Sequence, residues 1–206
     1  MADLPGDMRG DQVKFKITSN IQAFLRQHEK MQKQLRFAQA VALTKTGKIA
    51  GEDFTKSLDR VLDRPTPFTK RGVGLIKATK ERQVATVFVK DVQAGYLELQ
   101  ETGGARRPKK RAIVLPGRGR INRYGNIPRG AVKAALARAD TFSGTVRGVA
   151  GIWQSGKKGV KLLYAYQPSA NYRPRLRFRQ TVEASVRHNY HREYRRAHDY
   201  ALRTAR

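Results

Sequence analysis

The run "LDRVLDRPTPFTKRG", Leu58 to Gly72, decides how the chain is divided. Leu58, Val61 and Leu62 keep helical spacing up to Pro65-Thr66-Pro67, and the residues that follow read as extended and basic. The two prolines fix two φ angles and remove two amide donors, and Thr66, placed before Pro67, is pushed toward extended geometry. A helical arm therefore ends before Pro65. The hinge Pro65, Thr66 and Pro67 turns it toward a sheet at a set angle, as suits a subunit interface met at a repeated angle.

Upstream, Val13, Phe15 and Ile17 alternate with Lys14, Lys16 and Thr18, the pattern of a short half-exposed strand. Asn20 suits an N-cap, and Ile21, Phe24, Leu25, His28, Met31, Leu35, Ala38 and Ala42 form one apolar stripe. A second stripe, Phe54, Leu58, Val61 and Leu62, points roughly 130–140° away from the first. Gly47 and Gly51 lie between the two stripes. Glycine costs about 1 kcal/mol inside a helix, so a kink or break near Gly47–Gly51 is predicted. Unbroken from Asn20 to Leu62, the arm would reach roughly 60–65 Å, too long for one small core. That length predicts packing on other subunits, for which rings are the usual closed solution.

Downstream, "GLIKATK" and "QVATVFVKD" read as strands, the second apolar on both faces and therefore buried. "VQAGYLELQETGG" reads as a helix closed by Gly103-Gly104, and residues 103–120 as a basic loop around the apolar run Ala112 to Leu115. "IPRGAVKAALARAD" reads as a short helix, and "GVAGIWQSG" with "KGVKLLYAYQP" as a hairpin turning at Gly156 to Gly159. Phe178, Val182, Val186, Tyr190, Tyr194, Ala197 and Ala201 mark a long, basic, amphipathic C-terminal helix. The expected architecture is a single α+β domain over 1–206 with a small mixed or antiparallel sheet, residues 1–12 forming a flexible N-terminus.

Charge is the loudest signal: 43 Lys and Arg against 16 Asp and Glu, a net +27. Residues 103–206 carry 25 of those cations and only 4 carboxylates. Such a surface implies nucleic acid or an acidic protein as partner. With no cysteine there is no disulfide or thiolate metal site, which fits synthesis in a reducing compartment. No apolar run approaches the roughly 18–20 residues that span a bilayer. The N-terminus "MADLPGDMRGD" lacks the basic-then-apolar order of a signal peptide, so a protein with no membrane association is expected.

Catalytic patterns are missing. Gly47-Lys48 has neither the upstream glycine nor the following hydroxyl of a phosphate loop, and "GRGRINRYG" lacks a strand–turn–helix setting. His188 and His191 share a helix face, but no third ligand accompanies them. No enzyme activity, metal or cofactor is therefore expected. Tyr164, Tyr166, Tyr172, Phe178, Tyr190 and Tyr194 interleave with Arg173, Arg175, Arg177 and Arg179; those at helical spacing read as core rather than as stacking platforms. "RRPKKR" is different, because five cations in six residues repel one another and resist burial. Arg106, Arg107, Lys109, Lys110 and Arg111, with Arg118 and Arg120, are the candidate contacts to DNA or to an acidic partner.

In order along the chain, "RFAQAVALTKTGK", "LDRPTPFTKRG", "ATKERQVATVFVKD", "YLELQETGGARRP", "VLPG", "RYGNIPRG", "GIWQ" and "YRPRLRFRQTVE" resemble the lambda-type minor tail protein Z family. These are the tail-completion proteins of long-tailed bacteriophages, and the resemblance spans about residues 13–206. It implies a small α+β structural protein of the virion, assembled in the host bacterial cytoplasm. There it completes the tail and joins it to the head at the neck. The implied partners are its own copies in a ring (a hexamer rather than a dodecamer), tail terminator or tail-tube proteins, head connector proteins and, non-specifically, phage DNA. The family brings no catalytic residues. The alternative from charge alone is a general nucleic-acid-binding protein, packaging- or ribosome-associated.

Overall fold

The computed structural model describes residues 14–18, 29–108 and 111–204, with side chains in the first helix from residue 33 onward. The expected flexible N-terminus, the Asn20 cap, the stripe from Ile21 to His28, Lys109 and Lys110 lie outside the described residues. Where the sequence reads as one α+β domain, contacts cluster into two compact units. Unit 1 takes its residues from Met1–Val61, Pro67–Leu97 and Leu176–Arg206; unit 2 takes Leu62–Thr66 and Glu98–Arg175.

In unit 1, β1 (Lys14–Thr18) and β2 (Val73–Ile76) flank β3 (Val84–Val89) in an antiparallel sheet of order β1-β3-β2. The central strand is the one with apolar residues on both faces, and Ala85, Val87 and Val89 are buried. Helix α1 (Glu29–Val61) covers the sheet and also packs on α5 (Phe178–Thr204). It runs unbroken through Gly47 and Gly51, against the expectation of a kink or break there. Those glycines serve close approach: a Cβ on Gly47 would sit 2.8 Å from Leu75 Cδ1, and one on Gly51 3.3 Å from Val73 Cγ1. The apolar stripe rotates because α1 has two partners. Ala38 and Ala42 meet Ala197 and Ala201 of α5, whereas Leu43 packs with Ala85 of the sheet. Thirty-three residues span about 50 Å, and the protein's own chain covers this helix along much of its length.

The buried line of α5 differs from its apolar stripe. Phe178, Val182, Ala197 and Ala201 are buried as expected, with Phe178 edge-on to Phe54 at 4.7 Å. Between them the buried positions are Ser185, Asn189 and Glu193, while Val186, Tyr190 and Tyr194 sit half-buried to one side. Ser185 Oγ donates to Asp53 Oδ2 at 2.6 Å, and Asn189 Nδ2 donates to the Ser185 carbonyl at 2.8 Å. Glu193, its side chain 6% exposed, accepts from Arg192 and Arg196. A polar seam thus runs between two apolar ends.

After α1 the hinge differs from its expectation in one respect. Pro67 opens a single helical turn, α2 (Pro67–Lys70), where a first-turn proline loses no helix hydrogen bond. Lys70 pairs with Asp59 at 2.6 Å, and Gln93 Nε2 of α3 (Asp91–Thr102) donates to the Phe68 carbonyl. Residues 62–66 group with unit 2, so the prolines lie where the chain passes from one unit to the other. Gly103, at φ +76°, ends α3 as its glycine pair predicts.

Unit 2 is built on an antiparallel sheet of order β5-β8-β7-β6. Its strands are β5 (Ile113–Pro116), β6 (Thr141–Val146), β7 (Val149–Gly156) and β8 (Gly159–Gln167). Short strands β4 (Gly104–Arg106) and β9 (Ala170–Tyr172) pair separately, so the sheets among the described residues are all antiparallel and the supposed basic loop 103–120 contains two strands. Helix α4 (Ala131–Leu136) packs Ala135 against Ile152, Leu163 and Tyr164. Leu163 is the extra residue of a β-bulge opposite Ile152 and Trp153, so both it and Tyr164 enter that core.

Candidate functional site

Unit 2 holds 18 Lys and Arg against 4 Asp and Glu, and residues 102–139 carry 11 cations with no carboxylate at all. Among its described residues Arg64 pairs with Asp63 at 3.1 Å and Arg138 with Asp140 at 2.7 Å. Hydrogen bonds from Arg138 and then Gln154 hold the Asp140 carboxyl below the usual carboxylate range. Arg64 does the same for Asp63, first by hydrogen bonding and then by charge. Arg106, Arg107, Arg111, Arg118 and Arg120 are exposed and make no ion pair with any described residue. Their like charges, uncompensated locally, make this surface a strong attractor of anions.

The fold separates the candidates that the sequence groups. Arg106 ends β4 opposite Ala170, and Arg111 lies two residues before Ile113, which pairs with Gln167 at the end of β8. Arg118 lies further along β8, where its amide donates to the Leu162 carbonyl at 2.9 Å. Leu162 and Gln167 are five residue steps apart along the strand, about 17 Å. Arg111 therefore lies towards the Gln167 end of β8, Arg106 beyond it beside β9, and Arg118 towards the Gly159 end.

The topology also brings in residues that sequence reading did not single out. Lys157 and Lys158 form the two-residue turn between the paired Gly156 and Gly159, and Lys161 adjoins Leu162. The signal available was the Gly-Arg-Gly-Arg alternation at 117–120, whose glycines lie against β8. Arg123 lies over the Tyr124 ring at 4.8 Å, and Arg64, at φ +46°, lies against Gly125. The hinge residues Pro65 and Thr66 are half-buried, and Pro67 is exposed.

Of the aromatics interleaved with arginine, Tyr164 and Phe178 are fully buried core, whereas Tyr190 and Tyr194 are half-buried, their tilted rings 6.0 Å apart. Burial, then the neighbouring Tyr190, raises the Tyr194 hydroxyl above its ordinary range. A shallow groove of about 380 Å³ in unit 1, lined by Phe37, Val41, Thr44, Lys77, Ala78 and Lys80, is mostly apolar. Among the described residues no three His, Asp or Glu side chains gather as a metal site, and no helix is long and apolar enough to cross a membrane. No protein-family model, curated protein or solved structure matches this chain.

Proposed function

We propose that this chain is a structural virion protein of a tailed bacteriophage, completing the tail and joining it to the head at the neck. The reading rests on the ordered stretches that resemble the minor tail protein Z family over about residues 13–206. The structural observation that supports it best is unit 2, with 18 cations against 4 carboxylates and its candidate arginines left out of ion pairs. A protein beside the DNA exit path, or against acidic neighbours, has use for that field. In this role it acts in a ring of its own copies, a hexamer in preference to a dodecamer, between tail-tube or tail terminator proteins and the head connector.

Deleting the gene in its phage should leave DNA-filled heads and separate tails in electron micrographs, with native mass spectrometry of the purified chain showing a ring. Normal infectious particles from the deletion would overturn the proposal. The same charge supports a second reading, a general nucleic-acid-binding protein associated with packaging or ribosomes, which predicts co-purification with nucleic acid and no particle defect.

A further inference from the structure

Gly117-Arg118-Gly119-Arg120 is tied to β8 through its main chain. The amides of Gly117 and Gly119 donate to the Leu163 carbonyl and that of Arg118 to the Leu162 carbonyl, each at 2.9 Å. The Tyr164 hydroxyl donates to the Arg120 carbonyl at 3.2 Å. The glycines make this approach feasible, since a Cβ on Gly117 would lie 2.8 Å from the Leu162 carbonyl oxygen and one on Gly119 2.8 Å from that of Leu163. Neither guanidinium helps to hold the segment. Both are exposed, and neither meets a carboxylate among the described residues. Lys161 adjoins Leu162, and the Lys157-Lys158 turn lies three strand residues beyond it, about 10 Å away.

We propose that this end of the sheet binds the phosphate backbone of duplex DNA, with Arg118, Arg120, Lys157, Lys158 and Lys161 as the phosphate contacts. A main chain already fixed by four hydrogen bonds loses little freedom on binding, which favours a preformed anion site. An acidic peptide pairing as a strand with this stretch of β8 would meet Gly117 to Gly119, which already occupy it. None of the five side chains is aromatic, so the surface offers charge without base stacking, as suits sequence-independent duplex contact. The inference deepens the neck reading, on which it depends only for the setting.

The test is fluorescence anisotropy of the full chain with a labelled duplex of arbitrary sequence, titrated with salt. Replacing Arg118, Arg120 and Lys158 by Gln should lower the slope of log K against log salt by about 2.7, at 0.9 per contact. The equal-charge triple Arg106→Gln, Arg107→Gln and Arg111→Gln should lower it by less than about 1. Arg118→Lys with Arg120→Lys should keep the parental slope. Equal losses from both triples, an unchanged slope in the first, or poly-glutamate displacing the duplex at equal charge would overturn the proposal. If the first triple does not fold, Lys157→Gln with Lys158→Gln carries the same test with a loss of about 1.8. Duplex binding beside normal particles from the gene deletion removes the neck reading alone; an unchanged slope beside separated heads and tails removes this one alone.

Discussion

Thr46 is fully buried in α1, and its Oγ1 has no hydrogen-bond partner among the described residues. A buried hydroxyl without a partner costs about 1–3 kcal/mol, so Thr46→Val should stabilise the chain by about 1 kcal/mol in urea denaturation. A loss of stability would contradict this account of the site. Gly95 is exposed within α3, has open space where a Cβ would go, and has no positive φ. Gly95→Ala should add about 0.5–1 kcal/mol, measured the same way. These two positions show why composition misleads at single residues. Gly47 and Gly95 look alike in the sequence, yet one makes room for Leu75 and the other for nothing. Asp140 gives a pH test. Its folded pKa is depressed, so its contribution is present above the ordinary aspartate value and is lost as pH falls through the folded one. Carboxyl NMR should place its midpoint below about 3.9, and a midpoint at or above that value would contradict the Arg138 and Gln154 hydrogen bonds.

The pairing of α1 with α5 depends on a polar middle. Ser185→Ala would leave the Asp53 carboxylate without its 2.6 Å donor and should cost about 1–2 kcal/mol. A double-mutant cycle with Asp53→Ala should return a coupling energy of about 1 kcal/mol, and additive losses would argue against the contact. Periodicity located α5, α3 with its glycine stop, and the hairpin turning at Gly156 to Gly159, because each is decided by neighbours in sequence. It did not find β6, whose Thr-Phe-Ser-Gly-Thr-Val pattern is weak and whose partner is set by a turn. Arg147 and Gly148, at φ +51° and +79°, make that turn. Nor did it find β4 and β9, three residues each, which exist only through pairing across the chain. The α5 seam was hidden for a related reason: a search for apolar spacing passes over Ser185, Asn189 and Glu193.

For the chain as a whole, +27 charges repel one another. Raising NaCl from about 0.05 to 0.5 M shortens the Debye length and should raise the melting temperature in scanning calorimetry. A fall would mean that ion pairs outweigh the repulsion. Pro65 and Pro67 lie where the path changes units, so replacing both by alanine should weaken the proposed ring assembly in native mass spectrometry more than it lowers the melting temperature of the single chain. Equal losses would count against an interface role. The cationic field was readable from composition, but its division between the two ends of β8 was not, since Lys157 and Arg118 are 39 positions apart in sequence.

Unit 2 also closes on itself where its longer segment begins and ends. Arg175 donates its amide to the Gln100 carbonyl and its Nε to Gln100 Oε1, both at 2.7 Å, and β4 pairs with β9 just inside this clasp. A chain that enters and leaves at one place behaves as a cassette. A change of length between the clasp positions leaves Gln100 and Arg175 free to keep the same two hydrogen bonds. Natural variation is then expected to concentrate between Gln100 and Arg175, leaving the helical scaffold comparatively fixed.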